Sequence, residues 1–203
     1  MEVKFDREKH VFHFEAFDEL MLDIIRFFNG TPVHLLPPES FMGAGVYALY
    51  YTGNSPYYKH LQKINRVGFV QPIYVGKAVP KGWRKARAKT PSNELYSRLN
   101  DHYSSIEQVK NLDVKDFSCR FMIFEHTTVD MIGMVEAALI RQFSPIWNSC
   151  VDGFGNHDPG SGRYEQAKSD WDVLHPGRKW AERLNGKHSD QSEIISKVLA
   201  YYE

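Results

Sequence analysis

Between Phe14 and Phe28 apolar residues recur at Phe17, Leu20, Met21, Ile24, Ile25 and Phe28. Steps of three and four put them on one stripe, which predicts an amphipathic helix closed by Asn29-Gly30. Pro32, Pro37 and Pro38 then hold the chain extended toward Gly45-Val46-Tyr47-Ala48-Leu49-Tyr50-Tyr51, a run whose β-branched and aromatic content suits a strand. Thr52 to Pro56 is rich in turn residues, and a short polar piece around Tyr58 to Arg66 is compatible with helix. Pro72-Ile73-Tyr74-Val75-Gly76 reads as a second strand, followed by a loop with Pro80, Gly82 and Pro91.

Ser92 is the expected N-cap of the next helix, with Glu94 in its first turn and Leu95, Leu99 and Tyr103 at steps of four. Phe117 to Phe124 alternates and then turns apolar, the pattern of a central strand. Thr128, with Asp130 behind it, is the expected N-cap of a helix through Met131, Ile132, Val135, Leu139, Ile140 and Phe143 that stops before Pro145. After Asn148 a glycine-dense loop, Gly153 to Gly162, leads to short helical segments near Trp180 and between Ser192 and Tyr202. Strands interleaved with helices, without repeats or long linkers, predict one compact domain.

With 203 residues, 42% hydrophobic and 25% charged, the chain has the composition of a globular domain rather than of a disordered or fibrous one. No window approaches about 18 consecutive apolar residues, and Met1 to Glu8 is too charged for a secretion signal. A soluble, cytoplasmic protein with no membrane partner is expected, with Cys119 and Cys150 reduced. The formal net charge is zero, but its distribution is uneven. Lys77, Lys81, Arg84, Lys85, Arg87, Lys89 and Arg98 face the single acid Glu94 in their stretch, whereas residues 1–40 are acidic. A locally basic face attracts a polyanion even on a neutral protein, although a solvated basic loop has the same composition.

Glu136 is the anomaly of its helix, because it falls on the stripe of Ile132, Leu139, Ile140 and Phe143. A carboxylate there requires a donor, a cation or an opening to solvent. It either pairs with a structural base or serves as a lone metal ligand, a role that suits Mg²⁺ with its retained water shell. Arg98 and His102, one turn apart, leave one helix face together. The first can clamp a phosphate and the second can move a proton near neutrality, but surface decoration has the same spacing. Tyr47 and Tyr74 lie in strands, where tyrosines usually only pack. In the glycine-dense loop, Asn156, His157 and Arg163 are candidates for reading base edges, an ordinary capping loop being the alternative.

Gly45-Val46-Tyr47, Tyr74-Val75-Gly76, Arg98, Glu136 and Asn148 resemble, in order and in structural context, the GIY-YIG nuclease family, with valine in place of the signature isoleucine in both half-motifs. His102 makes the restriction-endonuclease branch the most similar. The resemblance implies an α+β fold, a small three-stranded antiparallel sheet flanked by helices. It implies a catalytic core over residues 41–150 with insertions at 51–71 and 77–91, a helical extension over 1–40 and loop and helices over 151–203. Glu136 would hold Mg²⁺, with Mn²⁺ the expected substitute and no organic cofactor. Tyr47 would act as general base or orient water, which at its ordinary pKa requires nearby positive charge from Arg98, the metal or Lys77. Tyr74 would bond the scissile phosphate or its water, Arg98 would stabilise developing charge and Asn148 would brace the site. The implied activity is site-specific hydrolysis of double-stranded DNA by a homodimer at a short palindrome. A homing or repair nuclease and a DNA-binding module without catalysis are the competing readings.

Overall fold

The computed structural model describes residues 5–83 and 93–202. The amphipathic stripe forms α1 (Phe17–Gly30), whose Met21 and Phe28 are buried. The two strand-like runs form β2 (Ala44–Tyr51) and β3 (Tyr74–Ala78). They are joined by a turn and α2 (Lys59–Gly68). Helix α3 (Glu94–Gln108) and strand β4 (Phe117–Phe124) follow. Helices α4 (Ile132–Phe143), α5 (Ile146–Ser149), α6 (Asp170–Leu174) and α7 (Gln191–Ala200) complete the described elements. None of these helices is long and apolar enough to cross a membrane.

The class is α+β, but with a further strand, β1 (Val33–Leu35), the sheet has four strands rather than three, in the order β1-β4-β2-β3, all antiparallel. The added strand pairs with Ser118 to Arg120 of β4. It is three residues long, lies at the sheet edge and is bounded by prolines, so it shows no period-two pattern.

Strand β2 is hydrogen-bonded on both sides and buried along its whole length. Its alternate side chains serve two cores. Tyr47, Leu49 and Tyr51 pack with Tyr58, Leu61, Leu95, Leu99 and Trp147. Val46, Ala48 and Tyr50 pack with Phe28 of α1 and with Ile132, Val135 and Leu139 of α4. A strand covered on both faces carries apolar residues at successive positions, which is why β2 shows strand propensity without alternation.

One local expectation is corrected, and one falls outside the described residues. Thr128 does not cap α4: it closes a capping turn over Glu125, accepting that residue's N–H at 3.2 Å and donating to its carbonyl at 2.6 Å. A 3-10 helix, His126–Met131, therefore precedes α4. Ser92 lies outside the described residues, and the residue before α3 is Asn93, which makes no side-chain cap. The 51–71 insertion packs on the core, with Tyr58, Leu61 and Asn65 fully buried. Asn65 staples it, donating to the carbonyls of Tyr51 (3.1 Å) and Gln71 (2.8 Å) and accepting the Gln71 N–H (3.0 Å).

Candidate active site

Antiparallel register sets Tyr47 of β2 opposite Gly76 of β3. A Cβ at position 76 would overlap the Tyr47 hydroxyl and crowd the Tyr74 ring, so the glycine lets both phenols lie over the strand backbone. The two tyrosine rings are tilted, with centroids 6.2 Å apart. Asn148 of α5 locks this end of β3. Its side chain accepts the Val75 N–H at 2.8 Å and donates to the Val75 carbonyl at 2.9 Å.

Helix α3 crosses this face and lowers His102 onto the tyrosines. His102 is 2% exposed, and its Nε2 stands 2.5 Å from the Tyr47 hydroxyl. Its ring stacks on Phe154 (centroids 4.5 Å apart, planes at 17°) and meets Tyr74 edge-on at 5.2 Å. Burial, and secondarily the positive charge of Arg98, push the His102 pKa well below its ordinary value, so the imidazole is neutral. In the tautomer protonated at Nδ1, the Tyr47 hydroxyl donates to Nε2.

The positive charge of Arg98 does not bring Tyr47 toward ionisation at neutral pH. Burial holds the Tyr47 pKa well above its ordinary value, Tyr74 adds to the effect, and the opposing pull of Arg98 is smaller. Tyr74 is raised for the same leading reason, again with Arg98 opposing and Glu136 reinforcing. Both phenols therefore enter the chemistry protonated.

Arg98, one turn before His102, points into the glycine-dense loop. It donates to the Gly155 carbonyl at 2.8 Å and contacts His157 Nε2. Burial and Arg98 lower the His157 pKa, which keeps that ring an acceptor. His157 thus joins the Arg98 cluster while its side chain stays exposed.

Glu136 approaches from the other face of the sheet. On α4 it sits at the rim of the Val75-containing core, and its Oε2 accepts from Lys77 Nζ at 2.5 Å. The two side chains are 18% and 39% exposed, so the pair is open to solvent. Lys77, which the charge pattern places with the basic loop, lies in the site on β3. Among the described residues no group of three or more His, Cys, Asp or Glu side chains is arranged to hold a metal, and the second oxygen of Glu136 accepts no hydrogen bond. One half-open carboxylate with a free oxygen fits a cation that keeps most of its water, as Mg²⁺ does, and does not fit an all-protein cage.

The remaining candidates do not converge on this centre. Lys81 is exposed and 4.0 Å from Glu94. Arg84, Lys85, Arg87 and Lys89 lie outside the described residues. Asn156 and Arg163 are exposed and line a polar groove of about 480 Å³ beside His157, together with Lys168 and Trp180. Sequence reasoning missed Phe154, Gly155, Asp172 and Arg178, because nothing in their spacing marks them as neighbours of α3.

Residues 39–202 match the family described as the Eco29kI GIY-YIG domain. No curated protein matches the chain.

Proposed function

Because this chain belongs to the Eco29kI GIY-YIG family, a nuclease family of restriction endonuclease type, we propose that it is a site-specific endonuclease that hydrolyses double-stranded DNA with Mg²⁺ and acts in restriction. The observation that carries the proposal is the buried Tyr47–His102 contact, with Arg98 beside it and the Glu136 carboxylate at the rim.

In this reading a water molecule attacks phosphorus in line, the P–O bond opposite it breaks, and the leaving oxygen takes a proton from solvent water. A proton of the attacking water passes to the Tyr47 oxygen while the Tyr47 proton passes to neutral His102. The relay avoids a free phenolate, whose formation burial opposes, and leaves the proton on His102, where the negative charge growing on the phosphoryl oxygens offsets the burial and Arg98 that disfavour the imidazolium. Arg98, held by Gly155 and His157, stabilises the charge that grows on the phosphoryl oxygens, and Tyr74 donates to the phosphate or its water. Glu136 would hold the metal, at the carboxylate that Lys77 now contacts. When bound there, Mg²⁺ supplies Lewis-acid polarisation of the phosphate. Asn148 keeps β3 in register with the site.

A palindromic substrate favours a two-fold homodimer with one active site per strand. The outer side of α1, where Leu20, Leu22 and Phe27 are exposed, supports an interface there.

The test is incubation of the protein with supercoiled plasmid of known sequence, with and without Mg²⁺. Discrete fragments are expected only with the metal. A smear would instead indicate an unspecific nuclease, and binding without cutting would indicate the inactive module.

A further inference from the structure

We propose that Arg178, clamped by Asp172, is a positioning residue that sets the guanidinium of Arg98 through the Gly153–His157 loop; the proposal rests on the nuclease reading. Arg178 is only 1% exposed and lies far from the recognised motifs. All five of its N–H donors are committed. Nε and Nη2 grip the Asp172 carboxylate at 2.6 and 2.8 Å. The remaining donors take the carbonyls of Gly153 (2.9 Å), Phe154 (3.0 Å) and Asn156 (3.3 Å). The guanidinium is sandwiched between Trp171 and Trp180, its carbon 4.5 and 4.6 Å from the ring centroids.

The carbonyls of Phe154 and Asn156 flank Gly155, whose own carbonyl binds Arg98, and the next residue, His157, contacts the same guanidinium. One buried arginine therefore ties down the backbone on both sides of the group that orients the catalytic one. The loop has little freedom to compensate, because it lies directly against the site. A Cβ at Gly155 would come within 2.7 Å of the Tyr74 hydroxyl and 3.3 Å of Arg98 Nη2. Phe154, held by the same arginine, is the surface on which His102 stacks. Lysine cannot replace this arrangement, since a single ammonium with three donors cannot span a carboxylate and three carbonyls.

The experiment compares wild type, Arg178→Lys and the double variant Arg178→Met/Asp172→Leu. The double variant removes both buried charges together and so avoids an unpaired carboxylate in the interior. Thermal unfolding confirms which proteins are folded at the assay temperature. Plasmid cleavage is then measured at saturating protein with Mg²⁺, and DNA affinity without metal. The side-chain ¹⁵N resonances of Arg98 are assigned by comparison with Arg98→Lys.

The folded variants are expected to cleave about 10²-fold more slowly, the scale of an ångström-level misplacement, with DNA affinity unchanged and the Arg98 resonances shifted or broadened. In an Arg98→Lys background, adding Arg178→Lys is expected to cost little more, whereas a folding defect would recur in full. Wild-type cleavage rates in the folded variants, or undisturbed Arg98 resonances, would overturn the proposal. If wild type itself cuts no DNA, the nuclease reading fails, and the Arg98 resonances alone then decide whether the brace exists.

Discussion

The Tyr47 hydroxyl and His102 Nε2, 55 residues apart in the chain, meet at 2.5 Å in a wholly buried contact. The pairing gives a phenol with a raised pKa a neutral imidazole as its partner, which in the proposed relay takes the proton only as negative charge grows at the phosphate, since burial and Arg98 disfavour the imidazolium beforehand. Tyr47→Phe is expected to slow cleavage by about 10²- to 10⁴-fold, the span of general acid–base contributions, with DNA affinity intact. Single-turnover rates on plasmid DNA measure this, and a near-wild-type rate would remove Tyr47 from the proton path.

His102 itself should remain neutral well below its ordinary pKa of 6.5 in the free protein, since burial and then Arg98 disfavour its charged form. A histidine NMR titration, assigned with His102→Ala, reports this directly. An inflection for His102 at or above 6.5 would contradict its closed environment between Tyr47, Tyr74 and Phe154.

Glu136→Gln keeps the shape of the side chain and removes its charge. Cleavage should be abolished with DNA binding spared, and Mg²⁺ binding measured by calorimetry should weaken. Lys77→Met should do the reverse for Mg²⁺, tightening it, because the ammonium at 2.5 Å occupies the carboxylate oxygen. An unchanged affinity in both variants would take Glu136 out of the metal site.

His175 gives the fold a pH dependence of its own. Fully buried, it contacts Tyr58 and Asn111 through its two ring nitrogens, at 2.6 and 2.9 Å. Burial, and then Arg178, lower its pKa from 6.5 to about 3. The unfolded chain takes up this proton as pH falls through 6.5 and the folded protein does not. The contribution is therefore complete above that pH and is lost on acidification, at about 1.4 kcal/mol per pH unit. Urea midpoints between pH 6.5 and 4.5 should fall accordingly, and less steeply in His175→Gln; equal slopes would acquit His175.

Neutralising Lys81, Arg84, Lys85 and Arg87 together should weaken DNA binding and flatten its salt dependence by about 0.9 in the log–log slope for each phosphate that these side chains neutralise in wild type. A slope equal to that of wild type would show that they face only solvent.

The sequence by itself determined the main elements and the family. Hydrophobic period and strand propensity are local properties, so α1, β2, β3, α3 and β4 follow from short windows, and the two half-motifs with Arg98, Glu136 and Asn148 named the family. Tertiary structure decided the rest, since it depends on distances that no window contains. The sheet gained β1 because three edge residues found partners on β4, a pairing without its own pattern. Tyr47 was driven away from ionisation because desolvation in the folded core outweighs the pull of a nearby cation. Glu136 met Lys77 across the sheet edge, and Arg178 met the loop behind Arg98. Those encounters arise when strands and helices stack, and only then does a polar group acquire the neighbours that fix its charge and its role.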